Sequence, residues 1–313
     1  IDASVLALLQ RRGGTSTKFS SGHVVVVGGC RGLTGAPRMA AYAAQRAGAG
    51  YVTACVPSTL QETVATGPPE LMTRGLPDDD GSLSAAGVEE ALDAASRSSG
   101  ARANSPTLVP TRPSGPYVRW VGSALALGPG LGRAPGAFAF ARELAARAPV
   151  ATVIDADGLN AHAGRLQELA QREAPTVLTP HAGELGRLLE LPSEEIERER
   201  LRHVRAAAAL AQAVVVLKGD DTLIADPSGS GVVAVSPGAS PALATAGTGD
   251  VLTGVIAALL AQGLDQFVAA AAGVWLHAAA GRAAARAVGA AEGVIATDVI
   301  AALPAARTGA GQP

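Results

Sequence analysis

The chain has 313 residues, of which 48% are hydrophobic and 17% charged, with a formal net charge of −2 and only two cysteines. A chain of this length buries a large core, and a near-neutral charge without a basic run excludes a nucleic-acid groove or an anionic-membrane patch as the organising feature. Cys30 and Cys55 have neither disulfide-framework nor metal-ligand spacing, which points to a reducing, cytoplasmic setting and to small-molecule partners.

Residues 1–22 read as a short helical stretch followed by a polar entry linker, with no signal peptide. The run His-Val-Val-Val-Val at 23–27 predicts a buried strand, leading into a glycine loop over 28–36 and a helix over about 37–47. Strand, glycine loop and helix make a nucleotide-type unit, although neither G-x-G-x-x-G nor G-x-x-x-x-G-K-[ST] occurs in the chain. The loop serves equally as a tight turn or as a close backbone approach to a ligand. A strand over 51–56 and a helix over 84–96 follow. Residues 97–118 are rich in Pro, Ser and Arg without periodicity and read as a surface insertion.

Strand 123–127 runs into Gly128-Pro129-Gly130-Leu131-Gly132 and a helix to about 147. The next strand, 150–154, ends on Asp155 and Asp157, where ligands collect in parallel sheets. These acids either position Mg²⁺ through water or cap the following helix, with Asp157 the better cap. Strand 176–178 ends on Thr179-Pro180-His181. His181 and Glu184 stand one helical turn apart, a metal pair without a third ligand, so His181 is either a substrate contact or a structural histidine. Helices are expected over 183–189 and 193–213.

The densest chemistry lies at 214–260. An apolar strand, 214–217, ends on Lys218-Gly219. Lys218 and Lys18 are the only lysines, every other basic residue being Arg, which suggests a need for a compact ammonium. Two short strand-like runs lead to Ala246-Gly247-Thr248-Gly249-Asp250 and an apolar helix over 251–261. A glycine turn feeding a helix N-terminus offers unpaired N–H groups and the positive end of the helix dipole to phosphate oxygens. Asp250 beside such a seat either caps the helix or accepts a proton from a hydroxyl that attacks a phosphoryl group. The Ala-rich stretch 267–285 is interrupted by Gly273, His277, Gly281 and Arg282 and reads as a buried helix, not a membrane span. Residues 305–313 read as a frayed, disordered tail.

Continuous apolar strands alternating with helices predict a central, mostly parallel sheet covered on both faces, a single domain over 23–304. Ala244-Thr-Ala-Gly-Thr-Gly-Asp-Val-Leu252 resembles the signature of the ribokinase-like superfamily. The ordered blocks at 28–36, 128–132, 155–160, 179–184 and 217–219 narrow the resemblance to ADP- or ATP-dependent NAD(P)H-hydrate dehydratases. The resemblance implies a ribokinase-like α/β/α sandwich and a cofactor-repair reaction, in which hydrated NADH or NADPH (NADHX, NADPHX) is phosphorylated by ADP or ATP, with Mg²⁺, and loses phosphate. It implies Asp250 as catalytic base with Gly247 and Gly249 as the anion seat. Ala36, Gly130, His181 and Asp250 are implied on the hydrate, and Lys218, Gly219, Asp220, Asp221, Thr222 and Gly249 on the nucleotide. It also implies an epimerase domain, fused or separate, and leaves a homo-oligomer open. A vitamin or sugar kinase of the same superfamily is the alternative. Ser240, Ala242, Ala182 and Cys30 depart from the family's usual Asn, Gly, Pro and Ser.

Overall fold

The computed structural model describes residues 1–96, 107–109, 117–119, 122–236, 238 and 240–309. In chain order the strands are β1 (His23–Val27), β2 (Tyr51–Pro57), β3 (Met72–Leu76), the hairpin β4 (Asp78–Asp79) and β5 (Ser82–Leu83), and the hairpin β6 (Thr107–Val109) and β7 (Tyr117–Arg119). They continue with β8 (Ser123–Leu127), β9 (Ala151–Ile154), β10 (Thr176–Leu178), β11 (Val214–Leu217), β12 (Thr222–Ala225) and β13 (Val233–Ser236). Nine of them form one sheet in the order β13-β12-β11-β10-β9-β8-β1-β2-β3. The pairs from β11 through β3 are parallel, and β12 and β13 add an antiparallel edge.

The helices are α1 (Gly35–Arg46), α2 (Gln61–Ala65), α3 (Val88–Ser96), α4 (Pro135–Arg147), α5 (Ala156–Asn160) and α6 (Ala182–Leu189). After them come α7 (Ser193–Arg198), α8 (Arg200–Ala211), α9 (Thr248–Ala261), α10 (Gln266–Val288) and α11 (Ala296–Thr308). Successive strand residues point to opposite faces, so Val24 and Val26 join a core with α1, α9, α10 and α11, while Val25 and Val27 join a second core with α3, α4, α6 and α8. This is a three-layer α/β/α sandwich, and the continuous apolar strands are its cause: both faces are buried, so no polar alternation survives.

Glycines let the inner helices approach closely. A Cβ at Gly254 would lie 2.0 Å from the carbonyl oxygen of Ala40, and one at Gly273 would lie 2.6 Å from Ile256 Cγ1. The apolar helix α10, long enough to cross a membrane, is mostly buried within this core.

Three expectations change. The helix expected over 193–213 is broken at Glu199, whose ψ of 42° leaves helical geometry, giving α7 and α8. The tail expected from 305 is helical to Thr308, because Arg307 donates to the carbonyls of Ala47 and Gln10 and to Gln262. The stretch 1–22 is not a free linker: Leu9 is buried and Arg12 donates to the carbonyls of Gly48 and Ala49. Most of the insertion expected over 97–118 lies outside the described residues.

Candidate active site

Strand order reverses between β1 and β8, and the crevice of such a sheet opens at the carboxyl ends of the strands there. The two glycine loops that leave these strands clasp each other. Gly128 N–H donates to Val27 O at 3.0 Å and Gly29 N–H to Pro129 O at 2.9 Å. A Cβ at Gly28 would fall 2.1 Å from Pro129 O, so the clasp needs glycine. Gly130 holds φ +63° with its Cα against Leu33 and Ala36, which brings two predicted substrate residues together at the start of α1.

One turn further along α1, Met39 packs on Gly247. Gly247 is the N-cap of α9 at φ +90°, and a Cβ there would lie 2.5 Å from Met39 Sδ. Gly249 differs: its Cβ would meet nothing closer than Lys218 Nζ at 3.7 Å and Asp155 Oδ2 at 3.9 Å, so its backbone faces open space beside those charges. The first turn of α9 thus presents its N–H groups to the cleft. Asp250 sits in that turn, half-buried, and does not cap the helix. Burial, then the nearby Asp155, raise its pKa to about 7 against the opposing pull of Lys218. A carboxyl poised there exchanges protons near neutral pH.

Beneath this turn lies a buried charge network. Lys218 Nζ donates to Asp155 Oδ1 at 3.0 Å and stands 3.6 Å from Glu184 Oε2. Thr253 donates to Asp155 Oδ2 at 2.6 Å, with Gly249 O also within 3.2 Å. Burial opposes both charges. Even so, Lys218 and the Thr253 hydroxyl hold Asp155 below its ordinary pKa, and Asp155 and Glu184 hold Lys218 above its own. Asp155 therefore occupies the N-cap position of α5 without a side-chain cap bond, each of its oxygens accepting from Lys218 or Thr253. Asp157 is also engaged, accepting from Gly132 N–H, Arg133 and Asn160, and so ties the 128–133 loop to α5. Among the described residues no group of three or more His, Cys, Asp or Glu could hold a metal ion.

His181 is the N-cap of α6. Its Nδ1 accepts from the N–H of Gly183 at 3.0 Å and of Glu184 at 3.3 Å, and Glu184 returns the bond by accepting from His181 N–H at 2.8 Å. Accepting at Nδ1 leaves the proton of the neutral ring on Nε2. Burial, against the pull of Glu184, holds the ring below its ordinary pKa. The ring remains half exposed, with its side chain 53% accessible. Nδ1 thus fills a structural role as the cap of α6, while Nε2 stands 3.6 Å from Glu184 Oε1.

A cavity of about 500 Å³ opens at Gly249, lined by polar and charged residues, Lys218, Asp220, Thr222 and Thr248 among them, and by the apolar Leu243, Leu252, Val274 and Ala278 with His277. Of the predicted nucleotide set, Asp221 is not brought there: its carboxylate accepts from Gly238 N–H and its carbonyl from Arg200. Arg200 also donates to the carbonyls of Leu217 and Lys218, bracing the turn from below. The walls escaped sequence reading because α10 is mostly apolar and carries no local signal of a cavity. Ser240 lines the same cavity, and Ala242 is buried without needing a left-handed backbone, so neither departure obstructs the site.

A doubly wound sandwich with a glycine turn and an acid at the mouth of α9 defines the ribokinase-like class, an architecture shared with solved structures. The sequence profile of the NAD(P)H-hydrate dehydratase family matches residues 24–97 and 118–305. The chain belongs to this family. It is 43% identical over 281 residues to the bifunctional NAD(P)H-hydrate repair enzyme of Moorella thermoacetica, covering 89% of this chain and 48% of that protein. It is 34% identical to the ADP-dependent (S)-NAD(P)H-hydrate dehydratase of Neisseria meningitidis, covering 96% of this chain and 88% of that one. The crystal structure of the ADP/ATP-dependent NAD(P)H-hydrate dehydratase of Bacillus subtilis, co-crystallized with ATP and Mg²⁺, superposes with a TM-score of 0.76 at 28% identity, covering 97% and 95% of the two chains. The chain spans about half the length of the bifunctional relatives it matches.

Proposed function

We propose that this chain dehydrates hydrated NADH or NADPH at the expense of ADP or ATP. Asp250 takes the proton of the ring hydroxyl as its oxygen bonds to the terminal phosphorus, and the bond from that phosphorus to the nucleotide breaks. Phosphate then leaves with the C–O electron pair, and loss of a neighbouring proton restores the ring double bond. Transfer makes hydroxyl a good leaving group, and the N–H groups of the α9 turn and the Lys218 ammonium oppose the charge on the transferring group.

The observation that carries this reading is the position of Asp250. It stands in the first turn of α9 next to the open backbone of Gly249, which lines the cavity with Lys218, while Gly130 and Ala36 meet at the start of α1, one turn before the Met39 that packs on Gly247. The cavity takes the nucleotide and the Gly130 and Ala36 side takes the hydrate. His181 offers its Nε2–H there while its Nδ1 caps α6. The described side chains build no cage for Mg²⁺, so the ion would come with the nucleotide phosphates, as it does where carboxylates are few. A cytoplasmic location and an epimerase partner, fused or separate, belong to the same proposal.

The test is incubation with hydrated NADH and each nucleotide, following the return of reduced-nicotinamide absorbance and the release of inorganic phosphate. A stable phosphorylated product with no recovered absorbance would instead make the chain a small-molecule kinase.

A further inference from the structure

A second cavity, of about 460 Å³, gathers four arginines in its lining: Arg11, Arg12, Arg46 and Arg307. Ser21 and Gly48, which also line it, precede β1 and β2, so it lies at the amino ends of the strands, away from the catalytic cleft at their carboxyl ends. The 14 residues of α9 run from that cleft to Gln262 in the wall of this cavity, about 21 Å at 1.5 Å per residue. Its volume suits a small ligand. Among the described residues no Asp or Glu lines it, and none of the four arginines is paired with a carboxylate.

The protein itself does not consume this positive charge. Three helices, α1, α9 and α11, end at the cavity, through Arg46, Gln262 and Thr308. Each helix C-terminus carries roughly half a negative charge, so the three together fall well short of four guanidinium groups that stay charged at any working pH. Arg12 donates to Ser21 Oγ and to the carbonyls of Gly48 and Ala49, and Arg307 to the carbonyls of Ala47 and Gln10 and to Gln262 Oε1. Because a guanidinium has five N–H donors, Arg12 keeps Nη1 and Arg307 keeps Nε for another partner. Arg11 and Arg46 are exposed and form no hydrogen bond among the described residues. Burial, then the charges of Arg12 and Arg11, push Arg307 below its ordinary pKa, so these cations repel one another around a shared space.

An anion relieves that repulsion, and the size of the surplus selects its kind. A carboxylate brings one negative charge, whereas a phosphate ester brings about 1.5–2 together with three acceptor oxygens that arginine forks fit. We propose that this cavity is a second anion site, which takes a phosphorylated small molecule and holds its phosphate oxygens with Arg11, Arg12, Arg46 and Arg307. The site stands apart from the catalytic cleft and from the reaction proposed there.

The test is calorimetry of the whole chain with inorganic pyrophosphate, comparing the parent with the double variant Arg11→Gln/Arg46→Gln. Any pyrophosphate that binds at the α9 turn is common to both, so the difference between them reports on the cavity. The variant should bind there at least about 10-fold more weakly, the worth of a hydrogen bond to a charged group, while its kcat and its Tm without ligand match the parent. Pyrophosphate should raise the Tm of the parent more than that of the variant, and added NaCl should close the gap. Arg307→Gln, which also gives up the bonds to Ala47 and Gln10, should lower the Tm and, measured below it, weaken pyrophosphate binding as well. Identical isotherms for the parent and both variants would overturn the site. Citrate, a carboxylate polyanion, binding as tightly as pyrophosphate and with the same loss in the double variant would overturn the assignment to phosphates.

Discussion

Asp250 and His181 each serve two demands. In the proposed reaction Asp250 must ionise to accept a proton, but burial and Asp155 favour its protonated form and raise its pKa to about 7. Activity should therefore fall below about pH 7 in a kcat/KM profile, with a single acid limb assigned to this group. Stability runs the other way. A carboxyl whose folded pKa lies above the ordinary 3.8 binds its proton more tightly when folded, so its contribution grows as pH falls through 7. Asp250→Asn keeps the shape and removes the base: turnover should drop by roughly 10²–10⁴ while calorimetric nucleotide binding persists. A variant with near-parental turnover would remove Asp250 from the mechanism. For His181, alanine removes both the α6 cap, worth about 0.5–2 kcal/mol, and the Nε2–H proposed to meet the hydrate. His181→Asn separates them, because Asn caps well. It should keep the parental Tm within a few degrees and raise the KM for hydrated NADH alone. A lowered Tm with that KM unchanged would leave His181 a cap and nothing more.

The elements that meet at the cleft set limits that single side chains do not. Gly247 and Gly249 are two residues apart, yet they differ in kind. Gly247→Ala would place a methyl on Met39 in a left-handed backbone, so it should destabilise α9 by about 1–3 kcal/mol. Gly249→Ala has room within the protein, so it should fold normally and weaken nucleotide binding by crowding the seat, and denaturation midpoints beside nucleotide KM values separate the two cases. Lys218 is likewise more than a ligand. Lys218→Ala would leave Asp155 buried and unpaired, which typically costs about 3–5 kcal/mol. Its weakened nucleotide binding, expected to exceed any effect on the hydrate, must be measured below the lowered melting temperature. Lys218, one of two lysines among many arginines, stood out as a special ammonium, but its partners did not: Asp155 lies 63 residues away and is joined because β9 and β11 end at the same edge.

At the scale of the whole molecule, the sandwich buries histidines neutral. Burial lowers the pKa of His23 and His277 to about 4, and that of His162 in the same direction. The unfolded chain takes up these protons near pH 6.5 and the folded chain does not, so stability should fall as pH drops from about 6.5 toward 4. Asp250 opposes that loss over the same range, and Asp250→Asn should make the decline steeper in urea titrations at stepped pH. A decline of the same slope in that variant would mean that Asp250 has an ordinary pKa.

The fold was legible because its signals are local. Residues 23–27, 123–127 and 214–217 are apolar throughout, which only a strand covered on both faces tolerates, and the glycine turn at 247–249 stands directly before the helix it feeds. The glycine turn, Asp250 at the start of α9 and Lys218 at the end of β11 were legible as places in the fold for the same reason. What only the tertiary structure decided depends on residues far apart in sequence. Asp155 looked like a cap or a metal carboxylate until Lys218 and Thr253 claimed it. Asp221 looked like part of the nucleotide loop until Gly238 and Arg200 turned it away. His277, a polar residue in a mostly apolar helix, looked like an interruption, because the cavity beside it exists only once α10 packs against β11, β12 and α9. Periodicity and turn chemistry act over a few residues and survive in the sequence, whereas charge partnership and cavity shape arise only when distant strands end at a common edge.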